Sequence, residues 1–182
     1  WPRVACRPDL HGAKVCGDIG EPARSRAVPG GPTAWQPPAV TMAPSVTPFV
    51  DGEARFSALT PLTATGPHGL SVTATAGDEQ VFSFFVHALT ATRVGAGAGA
   101  LGKAVYDVVA GAVVSAPAGV TATIEPWGRG IFRCAYRFQS PGGPTTYLVH
   151  LLDDAANETF AGTGSATLEL AGLPVDVGLA HP

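Results

Sequence analysis

The chain has 182 residues and a formal net charge of −3, with 46% hydrophobic and 14% charged residues. This length fits one domain or a smaller domain with an extended arm, and the hydrophobic content excludes a generally disordered chain. The weak negative charge without a basic run argues against nucleic-acid binding, and no apolar run approaches the roughly 20 residues that membrane insertion as a spanning helix requires.

Residues 1–48 are rich in proline, with nine of the chain's 17 prolines. Because proline lacks the amide donor of a β-ladder, this segment is predicted to be an extended arm that runs over a surface. Trp1, Trp35 and Phe49 are its candidate anchors. Cys6 and Cys16 either bridge or stay free, a choice that spacing leaves open. The predicted division is therefore an arm over residues 1–48 and a folded domain over residues 49–182.

From Val50 onward, short β-prone runs alternate with Gly, Pro and Asp. This spacing is typical of an all-β sandwich or jelly roll, and we predict an antiparallel jelly-roll sandwich. In the run after Gln80, Phe82, Phe84 and Val86 share one face, which is predicted to be core. The predicted strands are Ala54–Leu59, Leu70–Ala76, Gln80–Leu89, Ala104–Val109, Ala112–Ser115, Thr145–Leu152 and Ser165–Leu170.

The stretch VTATIEPWGRGIFRCAYRF, residues 120–138, reads as an antiparallel hairpin. In its second strand, Phe132, Cys134, Tyr136 and Phe138 share a face that we predict to be core. Cys134 is then a small buried hydrophobe. The opposite face carries two arginines and is available to water, a ligand or another subunit.

Motifs for cofactors and catalysis are weak. Gly97, Gly99 and Gly102 satisfy GxGxxG without a framing strand and helix, so the run from Gly95 to Gly102 is predicted to be a flexible loop or a strand connection. Ala104 stands where a P-loop needs a hydroxyl. The histidines are scattered and no GxSxG elbow is present. We therefore expect no cofactor, no metal and no enzymatic activity.

Candidate carbohydrate-binding residues are aromatic or polar residues of the predicted sheet. Trp127 offers a ring for stacking, and hydrogen-bonding groups are predicted to line one sheet face. A tryptophan that closes the core, and an ordinary solvated face or subunit contact, are the alternative interpretations. The candidates are Trp127, Arg133, Arg137, His87 and His150.

Four segments together resemble a carbohydrate-binding-module-like jelly roll of bacteriophage tail-fibre, tail-spike and head-spike proteins. They are VFSFFVHAL, KAVYDVVAGAVV, ATIEPWGRGIFRCAYRF and GSATLELAGLPVDVG, and the resemblance spans about Ala54–Gly178. The matching positions are Ser83, Asp107, Gly111, Gly130, Phe132, Arg133, Cys134, Leu168 and Glu169. Ile131 stands where that family usually has tryptophan.

The resemblance implies a concanavalin-like, carbohydrate-binding-module-like jelly-roll fold. It also implies a non-enzymatic virion component, such as a tail fibre or head spike, on the surface of a phage or gene-transfer-agent-like particle. The arm over residues 1–48 would then be an attachment or assembly segment. Its partners would be host-surface polysaccharide, other virion subunits that contact the arm, and further copies of the chain in a trimer or larger homo-oligomer. The alternative is a secreted carbohydrate-binding module of a polysaccharide-degrading enzyme.

Overall fold

A computed structural model describes residues 6–8, 14–16, 39–48, 55–76, 79–140, 142–172 and 175–177. Within these ranges the chain forms 15 β-strands, one short 3₁₀ turn at Gly99–Leu101 and no α-helix. None of the helical structure there is long and apolar enough to cross a membrane. The strands are β1 Cys6–Pro8, β2 Lys14–Cys16, β3 Val40–Pro48, β4 Arg55–Pro61, β5 Thr65–Ala76, β6 Glu79–Ala88, β7 Arg93–Ala98, β8 Lys103–Asp107, β9 Ala112–Ser115, β10 Val120–Gly128, β11 Ile131–Gln139, β12 Gly143–Leu152, β13 Thr159–Ala161, β14 Leu168–Ala171 and β15 Val175–Val177.

Two antiparallel sheets form the body of the protein. The seven-stranded sheet has the order β10-β11-β6-β14-β4-β3. The seventh strand, β15, also pairs with β6, at residues 80–82, whereas β14 pairs with residues 85–88. The six-stranded sheet has the order β13-β5-β12-β7-β8-β9. β1 and β2 pair only with each other. The expectation of an all-β antiparallel sandwich is therefore confirmed.

The core lies between the inner faces of the two sheets. β6 contributes Phe82, Phe84 and Val86, and β12 contributes side chains at alternate positions to the same cluster. The ring centroids of Phe82 and Tyr147 lie 5.6 Å apart across the interface. Burial of such side chains stabilises the fold by about 1.5–3 kcal/mol each. The core face predicted for β6 is confirmed by the three residues just named. The core face predicted for β11 is confirmed as well, because Cys134, Tyr136 and Phe138 are buried and Phe132 packs against them.

Three buried tyrosines join the sheets by hydrogen bonds as well as by packing. Tyr106 of β8 donates to the carbonyl of Ala135 in β11 at 2.7 Å, and Tyr147 of β12 donates to Oε1 of Gln80 in β6 at 3.1 Å. Tyr136 of β11 donates in the other direction, to the carbonyl of Gly102, at 2.9 Å. Burial raises the pKa of Tyr147 to about 12, so its hydroxyl stays a donor at neutral pH.

The predicted arm differs from the structure at its C-terminal end. Residues 40–48, assigned to the arm, form β3, which pairs with β4 at the edge of the seven-stranded sheet. Edge strands tolerate proline because one row of amides has no partner, and the register shifts between Pro44 and Pro48. The boundary predicted after residue 48 thus lies after the first strand of this sheet.

In β1 and β2 the backbone register places Cys6 opposite Cys16. Trp1, Trp35 and Phe49 lie outside the described residues.

β7 is the main strand within the folded domain that the sequence prediction missed. Its residues, RVGAGA, fall partly in the run predicted to be a flexible loop or connection, yet they pair with both β12 and β8. Val94, Ala96 and Ala98 face the core, and Arg93, Gly95 and Gly97 alternate with them on the outer face. The connection to β8 is residues 99–102, of which Gly99–Leu101 form the 3₁₀ turn.

We expect the Tyr147→Phe substitution to lower the free energy of unfolding by about 1 kcal/mol, because it leaves the buried Oε1 of Gln80 without its donor. Gln80→Met is expected to cost a similar amount, and the double variant should lose about 1 kcal/mol less than the sum of the two. Urea denaturation of the four proteins measures these values. Strictly additive losses would contradict the inter-sheet bond.

Candidate functional site

Trp127 is positioned by the turn of the predicted hairpin. β10 and β11 pair antiparallel, as predicted, and Gly128 pairs with Ile131, so Arg129 and Gly130 form a two-residue connection. Both have positive φ, 54° and 76°, the combination of a type I′ turn. The register shifts between Pro126 and Gly128, which leaves Trp127 in a bulge. A bulge redirects a side chain, and this one lies on the outer face of the sheet.

The tryptophan surface consists of Trp127, Phe85, Arg133 and Glu125. The ring of Trp127 lies edge-on to Phe85 with centroids 5.3 Å apart, and 44% of the residue remains exposed. In the sheet, Arg133 pairs with Glu125 of β10 on one side and with Phe85 of β6 on the other. Nη1 of Arg133 lies 3.9 Å from Oε2 of Glu125. This surface presents an anchored aromatic ring beside an exposed hydrogen-bond donor and acceptor.

His87 lies on the same outer face, but its ring is bound to a buried carboxylate. Its Nδ1 is 2.7 Å from Oε2 of Glu169, which is 5% exposed and belongs to β14. The hydroxyl of Ser45 donates to the other oxygen of Glu169. The ring also stands edge-on to Phe56 at 6.5 Å. His87 therefore ties β6 to β14, and only its far edge reaches the surface near Gly130.

Arg137 shares this face but lies away from the tryptophan surface. It is four residues further along β11 than Arg133, or about 13 Å at the rise of a strand. Its Nε donates to Oε1 of Glu79 at 2.7 Å, and this hydrogen bond holds the pKa of Glu79 below its ordinary value. The pair is an exposed ion pair at the far end of the hairpin.

His150 lies in the other sheet, so the prediction that it lines one face with His87 and the arginines is wrong. It belongs to β12 at the centre of the six-stranded sheet and faces outward, registered between Gly69 and Gly95. There it borders a groove of about 360 Å³. The residues lining this glycine groove are Gly95, Gly97, Gly99, Gly102, Lys103, Leu148, His150 and Glu158.

Close contacts explain two of the glycines around this groove. A Cβ at Gly97 would lie 2.7 Å from the carbonyl oxygen of Gly102, and one at Gly69 would lie 2.6 Å from Cδ2 of His150. The imidazole therefore leans over Gly69 on its Cδ2 side. Nδ1, which is bonded to the other side of Cγ, is turned toward β7 and the groove.

The charged groups of the groove form a connected set. Nζ of Lys103 donates to Oε1 of Glu158 at 2.6 Å, and this hydrogen bond holds the pKa of Glu158 below its ordinary value. Nδ1 of His150 lies 3.2 Å from the same oxygen, but at an angle that leaves this buried nitrogen without a hydrogen bond. Burial lowers the pKa of His150, although the neighbouring carboxylate opposes the shift. The imidazole is therefore neutral at pH 7.

The sequence prediction found Trp127, Arg133 and His150 as candidates but missed their nearest partners. Lys103 and Glu158 lie far apart in the sequence, and no local pattern indicates that they pair. The alternation of Gly95 and Gly97 with Val94 and Ala96 was the available sign of a strand whose outer face lacks side chains at two positions. Among the described residues, no group of three or more His, Cys, Asp or Glu is placed to hold a metal ion.

We expect stability to fall as the pH drops below about 6.5, the ordinary pKa of histidine. Because the folded pKa of His150 is lower, the unfolded chain binds the proton first, and stability is regained as the pH rises through this window. His150→Gln should flatten this part of the profile. Denaturant midpoints between pH 4.5 and 8 for both proteins measure the difference. Parallel profiles would show that His150 has no such role.

No protein-family model matches the chain, and a search of curated proteins found no match. The functional interpretation therefore depends on the tryptophan surface and the glycine groove.

Proposed function

We propose that this chain is a non-enzymatic structural component of a phage or phage-like particle, such as a tail fibre or head spike, that contacts host-surface polysaccharide. Its sandwich would be a jelly roll of the carbohydrate-binding-module type. The resemblance of residues 54–178 and the two antiparallel sheets support this assignment. The tryptophan surface is the proposed contact.

The observation that carries the proposal is the exposure of Trp127. A large aromatic ring normally gains about 1.5–3 kcal/mol by burial, yet 44% of this residue is left in water. The type I′ turn, the bulge and the edge of Phe85 hold it in place. A ring held at the surface can stack on a sugar at a low entropic cost, because little of its freedom remains to be lost.

Arg133 and Glu125 supply the polar part of the contact. Their side chains are 40% and 57% exposed, and 3.9 Å is too long for a strong ion pair. The guanidinium can donate to ring or hydroxyl oxygens, and the carboxylate can accept from hydroxyls. An open surface of this kind suits one side of a long polysaccharide rather than an enclosed small molecule.

We expect Trp127→Ala to weaken binding to a bacterial surface polysaccharide by about tenfold, the equivalent of roughly 1.4 kcal/mol, because the stacking ring is lost. Trp127→Phe should retain part of the affinity. A glycan array identifies the ligand, and calorimetric titration with the isolated polysaccharide measures the affinity.

Arg137→Ala is the matched control, since Arg137 is exposed on the same sheet face about 13 Å from Arg133. It should leave the affinity unchanged. Binding that is absent for every glycan, or equal in the wild type and Trp127→Ala, would overturn the assignment of this surface.

A particle subunit also differs from a secreted module in its assembly. Because the arm is proposed to pack on neighbouring copies, the full chain should be a trimer or larger in solution. Size-exclusion chromatography with light scattering measures the mass of the oligomer. A variant that lacks residues 1–38 should form an oligomer with fewer chains. A monomeric full chain would favour the secreted carbohydrate-binding module instead.

A further inference from the structure

We propose that the glycine groove is a second binding site, which takes one uncharged pyranose ring with vicinal hydroxyls. In its ligand class this inference rests on the proposed function, but it shares no residue with the tryptophan surface. The groove lies on the outer face of the six-stranded sheet, whereas Trp127 lies on the seven-stranded one. The domain would then contact glycan from two opposite faces.

The shape of the groove follows from the missing side chains of β7. Neighbouring strands lie about 4.8 Å apart, so the side-chain rows of β12 and β8 are about 10 Å apart, with β7 between them. Gly95 and Gly97 add no side chain to the outer face of β7, although both residues are buried. The result is a narrow channel, bordered by Leu148 and His150 on one side and on the other by Lys103, whose Cδ would lie 3.3 Å from a Cβ at Gly95. A six-membered ring fits this width with its flat face on the strand.

Three polar groups face the space above this floor. Lys103 has ammonium protons beyond the one it gives to Glu158, and the carboxylate of Glu158 keeps free acceptor positions. His150 supplies a third group, because its buried Nδ1 lies 3.2 Å from Oε1 of Glu158 without the alignment of a hydrogen bond. A ligand hydroxyl beside this carboxylate could give Nδ1 a better-aligned partner. Adjacent hydroxyls of a sugar match an ammonium and a carboxylate 2.6 Å apart.

The charge of the groove selects against ions. Lys103 and Glu158 neutralise each other at 2.6 Å, and His150 is neutral at pH 7. An anionic ligand would have to displace Glu158 from Lys103, and a cation would have to displace the lysine. An uncharged ligand with donors and acceptors on neighbouring atoms can bind both groups without separating them. The chemistry therefore favours neutral hexopyranosides over uronic acids.

Gly95 is the position at which the groove can be filled with little cost to the fold. A Cβ there would first meet Cδ of Lys103 at 3.3 Å and a methyl of Leu152 at 3.4 Å. Both are side-chain atoms that can move by a few tenths of an ångström. Gly97 has no such tolerance, because its neighbour is a backbone oxygen. Packing of the backbone thus requires Gly97, while a methyl group at Gly95 would narrow the groove beside the stem of Lys103.

The test is a titration of the full ¹⁵N-labelled chain with methyl glycosides of glucose, galactose, mannose and N-acetylglucosamine, followed by backbone amide shifts. At least one sugar should shift the amides of residues 95–102 and 148–150. Gly95→Ala should weaken this binding by about tenfold, and His150→Phe should weaken it by a similar factor. Gly66→Ala is the matched control, because its Cβ has no neighbour within 4 Å, and it should bind as the wild type does.

Trp127→Ala separates this site from the proposed one. If the amides of the groove still shift in that variant, the two sites are independent, as proposed. The inference is overturned if no neutral sugar shifts these amides, if Gly95→Ala binds as tightly as Gly66→Ala, or if a nucleoside or a uronic acid shifts them and the methyl glycosides do not. None of these outcomes touches the role of Trp127, which polysaccharide binding tests separately.

Discussion

The tyrosine bonds between the two sheets are the constraint on which both candidate sites depend. Tyr106 and Tyr147 reach from the six-stranded sheet, and Tyr136 reaches back toward it. Each hydroxyl is too deeply placed to exchange its partner for water without cost, so the three bonds resist sliding of one sheet over the other. Because side chains alternate along a strand, a slip of one residue in the pairing of β8, β11 or β12 would turn its tyrosine outward and break the bond that this tyrosine makes. The three bonds thus favour the strand register that places the residues of the two candidate sites on the outer faces.

The two outer faces differ because their central strands carry different residues. On the seven-stranded sheet, β6 and β11 present Phe85, Arg133 and His87 outward, and the bulge adds Trp127. On the six-stranded sheet, the outward positions of β7 beside Leu148 and His150 are glycines, so the neighbouring rows border a groove. The first face projects an aromatic ring and the second contains a groove, a difference that follows from side-chain volume at alternate positions.

The period-two pattern of large apolar residues predicted the sandwich, the hairpin and the core faces of β6 and β11, because these features depend on neighbours in sequence. β7 was missed since glycine and alanine have low strand propensity, and the strand forms because β12 and β8 supply partners on both sides. The sheet that contains His150 depends on strand order, and Lys103 and Glu158, which pair by a hydrogen bond, are 55 positions apart. No local sequence pattern indicates either contact.

The groups that resemble catalytic side chains are used to hold the fold together. Burial raises the pKa of the Cys134 thiol, so it is a protonated core side chain at neutral pH. The hydroxyl of Ser45 and the ring of His87 both bind Glu169, a carboxylate that would be costly to bury alone. What remains at the surface is a stacking ring, a hydrogen-bonding pair and a groove with a neutral ion pair. Rigid groups of this kind are suited to recognition of a ligand by shape and hydrogen bonds, which is the physical basis of the proposed contact function.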